Sequence, residues 1–230
     1  MKIAIIAAME EEVSLLRSKI TDCHIETILG FDFYTGQIDG CNVVLLKSGI
    51  GKVAAATGTT LLLSRFEVDG VINTGSAGGL DSRLKIGDVV ISNSAIYHDV
   101  DITAFGYKPG QMAGCPVAFS NESPLKSIAI DATMAQGVAA VEGTIVSGDS
   151  FINSESELSR IKRLFPEAIA VEMEATAIAH VCWLCKMPFI VVRAISDNGD
   201  DASAISFDEF LPLAAKQSSL IVESMLKQLK

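Results

Sequence analysis

Short runs of nearly uninterrupted apolar residues, separated by stretches with helical spacing, set the strongest limit on what this chain can fold into. The runs are Lys2 to Ala8, Asn42 to Lys47, Gly70 to Thr74, Asp88 to Ser92, Gly143 to Ser147, Ala168 to Val171 and Phe189 to Ser196. Continuous apolar strands are covered on both faces, whereas a strand with one wet face alternates. Helical stretches lie between them, at Glu10 to Lys19, Lys52 to Phe66, Pro124 to Gln136, Glu155 to Phe165 and Glu174 to Cys185. A last helix is expected from Phe207 to Leu229, opened by a capping box in Ser206-Phe207-Asp208-Glu209; Pro212 within it removes a backbone hydrogen bond. The alternation predicts a single α/β domain over residues 1–230, a central sheet flanked by helices.

Composition narrows the function. A chain of 230 residues, 49% of them hydrophobic, fills one domain with a sizeable core. No apolar run reaches the roughly 18 residues a membrane span needs, and the apolar start passes at once into Met9-Glu10-Glu11-Glu12, unlike a secretory signal. A net charge of −10 argues against nucleic acid, which demands clustered Lys and Arg. An odd number of cysteines, 5, fits a reducing compartment, so a cytoplasmic protein is expected. Cys182 and Cys185 have redox-motif spacing, but they fall late in an apolar helix and are read as buried structural thiols.

Three carboxylates stand where strands give way to helices or loops. Asp197, with Ser196 before it, ends the run from Phe189; in open α/β sheets ligands bind outside the carboxyl ends of strands. Glu12 flanks the helical stripe of Met9, Val13, Leu16 and Ile20, while Glu10 and Glu11 point away. A carboxylate at such an apolar edge suits a general base. Glu174 leads the face carrying Ile178, Val181 and Cys185, and a carboxylate there suits the two hydroxyls of a ribose. Glu12 and Glu174, each taken alone, also fit the ordinary preference for negative charge at a helix N-terminus.

Two glycine-rich segments follow strands. Gly49-Ile50-Gly51-Lys52-Val53-Ala54 matches a dinucleotide fingerprint, yet the next strand ends in Asn73-Thr74 with no acid for an adenosine ribose, which disfavours nicotinamide binding. Gly75-Ser76-Ala77-Gly78-Gly79 reads either as a tight turn or as a turn offering N–H groups and a hydroxyl to a ligand. From Ser94 to Ser123 the chain is irregular; His98, Asp99 and Asp101 lack a third cluster to complete a metal site, and Ile102 with Phe105 fits an interface.

Taken in order, Ala8-Met9-Glu10-Glu11-Glu12, Lys47-Ser48-Gly49-Ile50-Gly51-Lys52, Asn73 to Gly79, Ser147-Gly148-Asp149-Ser150-Phe151-Ile152, Val171-Glu172-Met173-Glu174-Ala175 and Arg193-Ala194-Ile195-Ser196-Asp197 resemble the bacterial 5′-methylthioadenosine/S-adenosylhomocysteine nucleosidases. The resemblance runs from Met1 to the final helix. It implies the three-layer nucleoside phosphorylase-like fold with a mixed, twisted sheet, a homodimer, no metal or organic cofactor, and hydrolysis of an N-glycosidic bond to release adenine. It implies that Asp197, supported by Ser196, protonates adenine N7 and that Glu12 activates water near Ser76 and Arg193. Glu174 would hold the ribose hydroxyls over Met173, Phe151 would stack on adenine, and the Ile152 backbone would read its edge. Met9, Ile50 and Phe207 would line the alkylthio pocket, completed by Ile102 and Phe105 of the partner subunit.

Met112-Ala113 departs from a leucine-proline pair, Ile102 stands where valine is common, and Asn198-Gly199-Asp200-Asp201 is unusual; these bear on the breadth of the alkylthio pocket rather than the reaction. Preference among methylthioadenosine, S-adenosylhomocysteine and 5′-deoxyadenosine stays open, as does service to methionine salvage, autoinducer synthesis or both. The alternatives are a purine nucleoside phosphorylase, a nicotinamide-dependent oxidoreductase and a noncatalytic nucleoside-binding protein. Related phosphorylases place an arginine where this chain has Asn73-Thr74, which favours water as nucleophile.

Overall fold

The computed structural model describes residues 1–120, 123–138, 140–200 and 203–230. In chain order the elements are β1 (Lys2–Ala7), α1 (Glu10–Arg17), β2 (Thr21–Ile28), β3 (Phe31–Ile38), β4 (Cys41–Lys47), α2 (Lys52–Arg65), β5 (Gly70–Gly79) and β6 (Val89–Tyr97). A 3-10 turn (Thr103–Phe105), β7 (Phe119–Ser120), α3 (Pro124–Ala135), β8 (Ala140–Ser147), α4 (Glu155–Leu164), β9 (Ala168–Glu172), α5 (Ala175–Leu184), β10 (Phe189–Asp197) and α6 (Ser203–Gln228) follow.

Alternate residues of β1 enter different cores. Ala4 and Ile6 pack with Val44 and Leu46 against Ala55 and Leu62 of α2 and Ile178 and Cys182 of α5. Ile3, Ile5 and Ala7 face the other way, onto Val13 and Leu16 of α1, Leu125 and Ala129 of α3 and Ile221 and Met225 of α6. The period of two along a strand makes this possible, and it explains why the runs are apolar throughout: both faces of the sheet are covered. Helices, sheet and helices form the three layers, with α4 closing a smaller cluster through Leu158 and Ile161.

Among the described residues, 10 strands form one mixed sheet. β1 pairs in parallel with β4 and β5, and β10 in parallel with β5, while β9 runs antiparallel to β5 and β6 antiparallel to β10. β5 is long enough to pair with β1 and β10 along its first part and with β9 at its end. Through β6–β8 and β8–β9 the circuit β5-β9-β8-β6-β10 closes on itself. This closure gathers the ends of β5, β9 and β10 at one place.

Several expectations need correction. Gly75–Gly79 is no turn but the second half of β5. The segment after α1, for which the apolar runs predict no strand, forms the antiparallel hairpin β2–β3. The last helix starts at Ser203, so Ser206 to Glu209 lies inside it and forms no cap, and Pro212 is also internal. Cys182 is buried as expected, but Cys185 is exposed. The irregular stretch carries β6 as far as Tyr97 and the short β7. Asp201, part of the unusual segment after the acid, lies outside the described residues.

Candidate active site

Where these strands end, a cavity of about 240 Å3 opens, lined by Met9, Glu12, Ile50, Ser76, Phe151, Ile152, Met173, Glu174, Arg193, Ser196, Asp197 and Phe207 among others. The three acids, dispersed through the sequence, thus share one chamber. Ile102 and Phe105 do not line it; Ile102 is half-buried and Phe105, which ends the 3-10 turn, is 81% exposed. Met112 is also outside the lining.

Glu12 is buried and receives four donors. The N–H groups of Ala8 and Met9 donate to its Oε2 at 2.9 and 3.2 Å, and the N–H and Oγ of Ser76 donate to its Oε1 at 3.0 and 3.1 Å. The bond from Met9 is half of a capping arrangement at the start of α1, so one carboxylate both closes a helix terminus and faces the cavity. Both oxygens of this buried carboxyl group are thus hydrogen-bonded. Gly75 makes the approach possible: at φ +147, a Cβ there would lie 2.6 Å from Glu12 Oε1 and 2.5 Å from Arg193 Nη1.

Asp197, the last residue of β10, is 3% exposed. Ser196 Oγ donates to its Oδ2 and the Gly199 N–H to its Oδ1, each at 2.9 Å. Burial raises its pKa above the ordinary aspartate value despite these donors. An acid that keeps its proton longer than usual is what leaving-group protonation needs.

Glu174 stands at the N-cap of α5, but its side chain makes no capping hydrogen bond. That task falls to Glu172, whose Oε2 accepts from the N–H groups of Glu174 and Ala175 at 2.9 and 2.8 Å. Glu172 also pairs with the buried Arg193 and accepts from Ser147 Oγ. Glu174 is thereby left to face the cavity, its Oε1 accepting the Gly51 N–H at 2.8 Å while Arg193 Nη2 stands 3.7 Å from its Oε2. Burial first, and the charge of Glu172 second, push its pKa up to about 8.

Glu172 is the functional residue that sequence reasoning passed over. Its signal is an acid ending a strand otherwise buried at every position, where an unpaired charge would be costly. Arg193 supplies the pair, and also donates to Asn73 Oδ1 at 2.8 Å and to the Ser76 carbonyl at 3.3 Å. Asn73 in turn donates to the Ile6 carbonyl at 2.9 Å, so it braces neighbouring strands.

The remaining walls are apolar. Phe151 and Phe207 meet edge to face, 5.5 Å between centroids at 71°, and Met173 and Ile152 complete the surface with Met9 and Ile50. The Gly49 N–H donates to the Ala8 carbonyl, and the Gly51 and Lys52 N–H groups donate to the carboxylates of Glu174 and Asp149, rather than standing open to a pyrophosphate. The side chains of His98, Asp99 and Asp101 serve separate partners: His98 Nδ1 stands 3.4 Å from Arg160 Nη2, Asp99 pairs with Lys52, and Asp101 accepts from Thr103.

Residues 2–227 match the family model described as the phosphorylase superfamily. A 5′-methylthioadenosine/S-adenosylhomocysteine nucleosidase from Colwellia psychrerythraea, solved with adenine, is 47% identical over 100% of this chain and 96% of its own, with a TM-score of 0.97. The chain belongs to the phosphorylase superfamily, among its 5′-methylthioadenosine/S-adenosylhomocysteine nucleosidases. Another such nucleosidase, from Neisseria meningitidis in complex with methylthio-immucillin-A, is 45% identical over 99% of both chains, with a TM-score of 0.97. The superfamily likeness extends to the futalosine hydrolase of Helicobacter pylori, at 33% identity over 99% of this chain and 98% of that one, with a TM-score of 0.94.

Proposed function

We propose that this nucleosidase hydrolyses the N-glycosidic bond of 5′-methylthioadenosine and S-adenosylhomocysteine, and of 5′-deoxyadenosine, releasing adenine and the corresponding ribose. The observation that carries the reading is the contrast between two buried carboxylates in one cavity: Glu12 beneath four donors and Asp197 with a raised pKa. Both lie against β5, Glu12 at Gly75 and Asp197 at Gly78. Three residues of strand span roughly 10 Å, room for a sugar and a base between an acid and an activated water.

Cleavage sends the C1′–N9 bonding pair into the purine, a poor leaving group unless protonated. Asp197 gives its proton to N7, and Ser196 and Gly199 hold the carboxylate that results. Positive charge grows on the ribose, where the nearby carboxyl groups stabilise it. Glu12 takes a proton from water as the new C1′–O bond forms, with Ser76 and Arg193 bounding the water's position. Glu174 accepts from the sugar hydroxyls; Met173 lies beneath the ring, Phe151 stacks on adenine and the Ile152 backbone reads its edge. Met9, Ile50 and Phe207 take the alkylthio group.

The enzyme is further proposed to act as a cytoplasmic homodimer in which Ile102 and Phe105 cover the partner's pocket, and to serve methionine salvage and autoinducer-precursor formation. The exposure of Phe105 and the five free cysteines support the dimer and a reducing compartment. Purified protein in phosphate-free buffer should release adenine and free methylthioribose from 5′-methylthioadenosine, read by absorbance and mass. Release that begins only when phosphate is added, with a sugar phosphate formed, would make it a phosphorylase and deprive Glu12 of its role.

A further inference from the structure

Two loops reach the mouth of the cavity, one through Ile50 and one through Ser150, Phe151 and Ile152, and a charged cluster that does not line it joins them to each other and to a third loop at Asp99. Lys52, first residue of α2, uses its N–H to bond Asp149 Oδ1 at 2.7 Å and its Nζ to bond Asp99 Oδ2 at 2.6 Å. The Asp149 N–H closes the triangle on Asp99 Oδ2 at 3.0 Å, and Lys52 Nζ stands 3.7 Å from Asp149 Oδ2. The Lys52 ammonium also lies over the Tyr97 ring, 5.4 Å from its centroid. Lys52 and Asp99 are partly sheltered, about a fifth to a quarter exposed, so their attraction is less screened than that of a free surface pair, while the Asp149 side chain is 48% exposed and is held by the Lys52 N–H.

What each loop carries gives the cluster its meaning. One residue before Lys52, the Gly51 N–H holds Glu174, and Ile50 lines the cavity. Two residues after Asp149, Phe151 forms the aromatic wall. At Gly51 a Cβ would come within 3.0 Å of Asp149 Oδ1, so the two loops already touch. We propose that Lys52, Asp99 and Asp149 are positioning residues that fix the sugar-holding side of the pocket against the base-holding side. The inference rests on the nucleosidase reading above. It assigns to the cluster the alignment of C1′ with Glu12 and Asp197, rather than affinity for adenine.

The test separates the two halves of the substrate. Steady-state kinetics with 5′-methylthioadenosine report on the joined nucleoside, and competitive inhibition by adenine reports on the base side alone. Lys52→Met should lower kcat/KM by about 10²-fold, the scale of a small misalignment, while the inhibition constant for adenine stays as in the wild type. Lys52→Arg should restore most of the loss. Asp99→Asn should reproduce it, and the double variant Lys52→Met with Asp99→Asn should be no worse than either. Unaltered kinetics in Lys52→Met, or equal weakening of nucleoside and adenine, would overturn the positioning role while leaving the nucleosidase intact. A wild-type protein that releases no adenine would remove both.

Discussion

Glu172 and Glu174 stand two residues apart, equally buried, and their partners give them opposite tasks. Glu172 faces Arg193, Ser147 and two helix N–H groups, whereas Glu174 has one backbone donor and a more distant guanidinium, so burial dominates and its pKa rises to about 8. A folded-state pKa above the unfolded value contributes stability below about 4.5, and that contribution is lost as pH rises through about 8. Glu174→Gln, which cannot ionise, should therefore melt at a higher temperature than the wild type at pH 9, with the gap shrinking toward pH 4.5. A gap independent of pH in ligand-free thermal scans would mean that Glu174 is ionised throughout. Asp197 presents the same physics used for chemistry. Asp197→Asn keeps the shape and a hydrogen-bonding capacity but has no proton to transfer, so turnover should fall by about 10²–10⁴-fold while 5′-methylthioadenosine still binds by calorimetry. Turnover near the wild-type level would end its role as the acid.

β5 shows how much an element's sequence conceals. Its glycines read as a turn because glycine clusters usually punctuate structure, but here the missing side chains make room for the carboxylates beside them. A Cβ on Gly75 would strike Glu12 and Arg193, and one on Gly78 would come 2.9 Å from Asp197 Oδ1, whereas one on Gly79 would meet nothing nearer than 3.4 Å. Gly75→Ala, strained also by its positive φ, should cost about 1–3 kcal/mol in denaturant unfolding and most of the activity. Gly79→Ala should stay near wild type in both, and equal damage from the two would show that the strand, not the carboxylates, demands glycine. The covered strands were legible because burial on both faces writes itself as continuous apolar residues. β2 was not, since nearly all of it is exposed and Thr21–Ile28 shows no core-facing stripe. The hairpin could have been found from its turns: Asp39-Gly40 joins β3 to β4 with φ of 50 and 83, and Leu29-Gly30 joins β2 to β3 with φ of 49 and 84. Two-residue turns with both φ positive match the twist of paired strands, and Asp-Gly is their usual sequence. At the site, Asp197, Glu12 and Glu174 were legible as acids at element boundaries. The service of Glu172 and Asp149 was not, because it depends on partners distant in sequence, Arg193 for one and Lys52 for the other.

For the whole molecule, the exposed apolar residues point beyond one chain. Phe105 is 81% exposed, Val53 77% and Ile50 58%, and Lys52 with Asp99 joins the segments that carry them. Large apolar side chains exposed near a pocket fit a subunit contact, and in a two-fold dimer each of the two pockets would gain a cover from the other chain. The arrangement can be tested by complementation. In a mixed dimer of Asp197→Asn with Phe105→Ala, one pocket combines both defects, but the other has an intact Asp197 and an intact Phe105. Each variant alone should be slow, Asp197→Asn through kcat and Phe105→Ala through KM. Coexpressed in equal amounts, half of the dimers are mixed and each has one sound pocket, so low-substrate activity should recover to about a quarter of the wild-type rate. Activity that is only the average of the two parents would mean that each pocket is built and covered by a single chain.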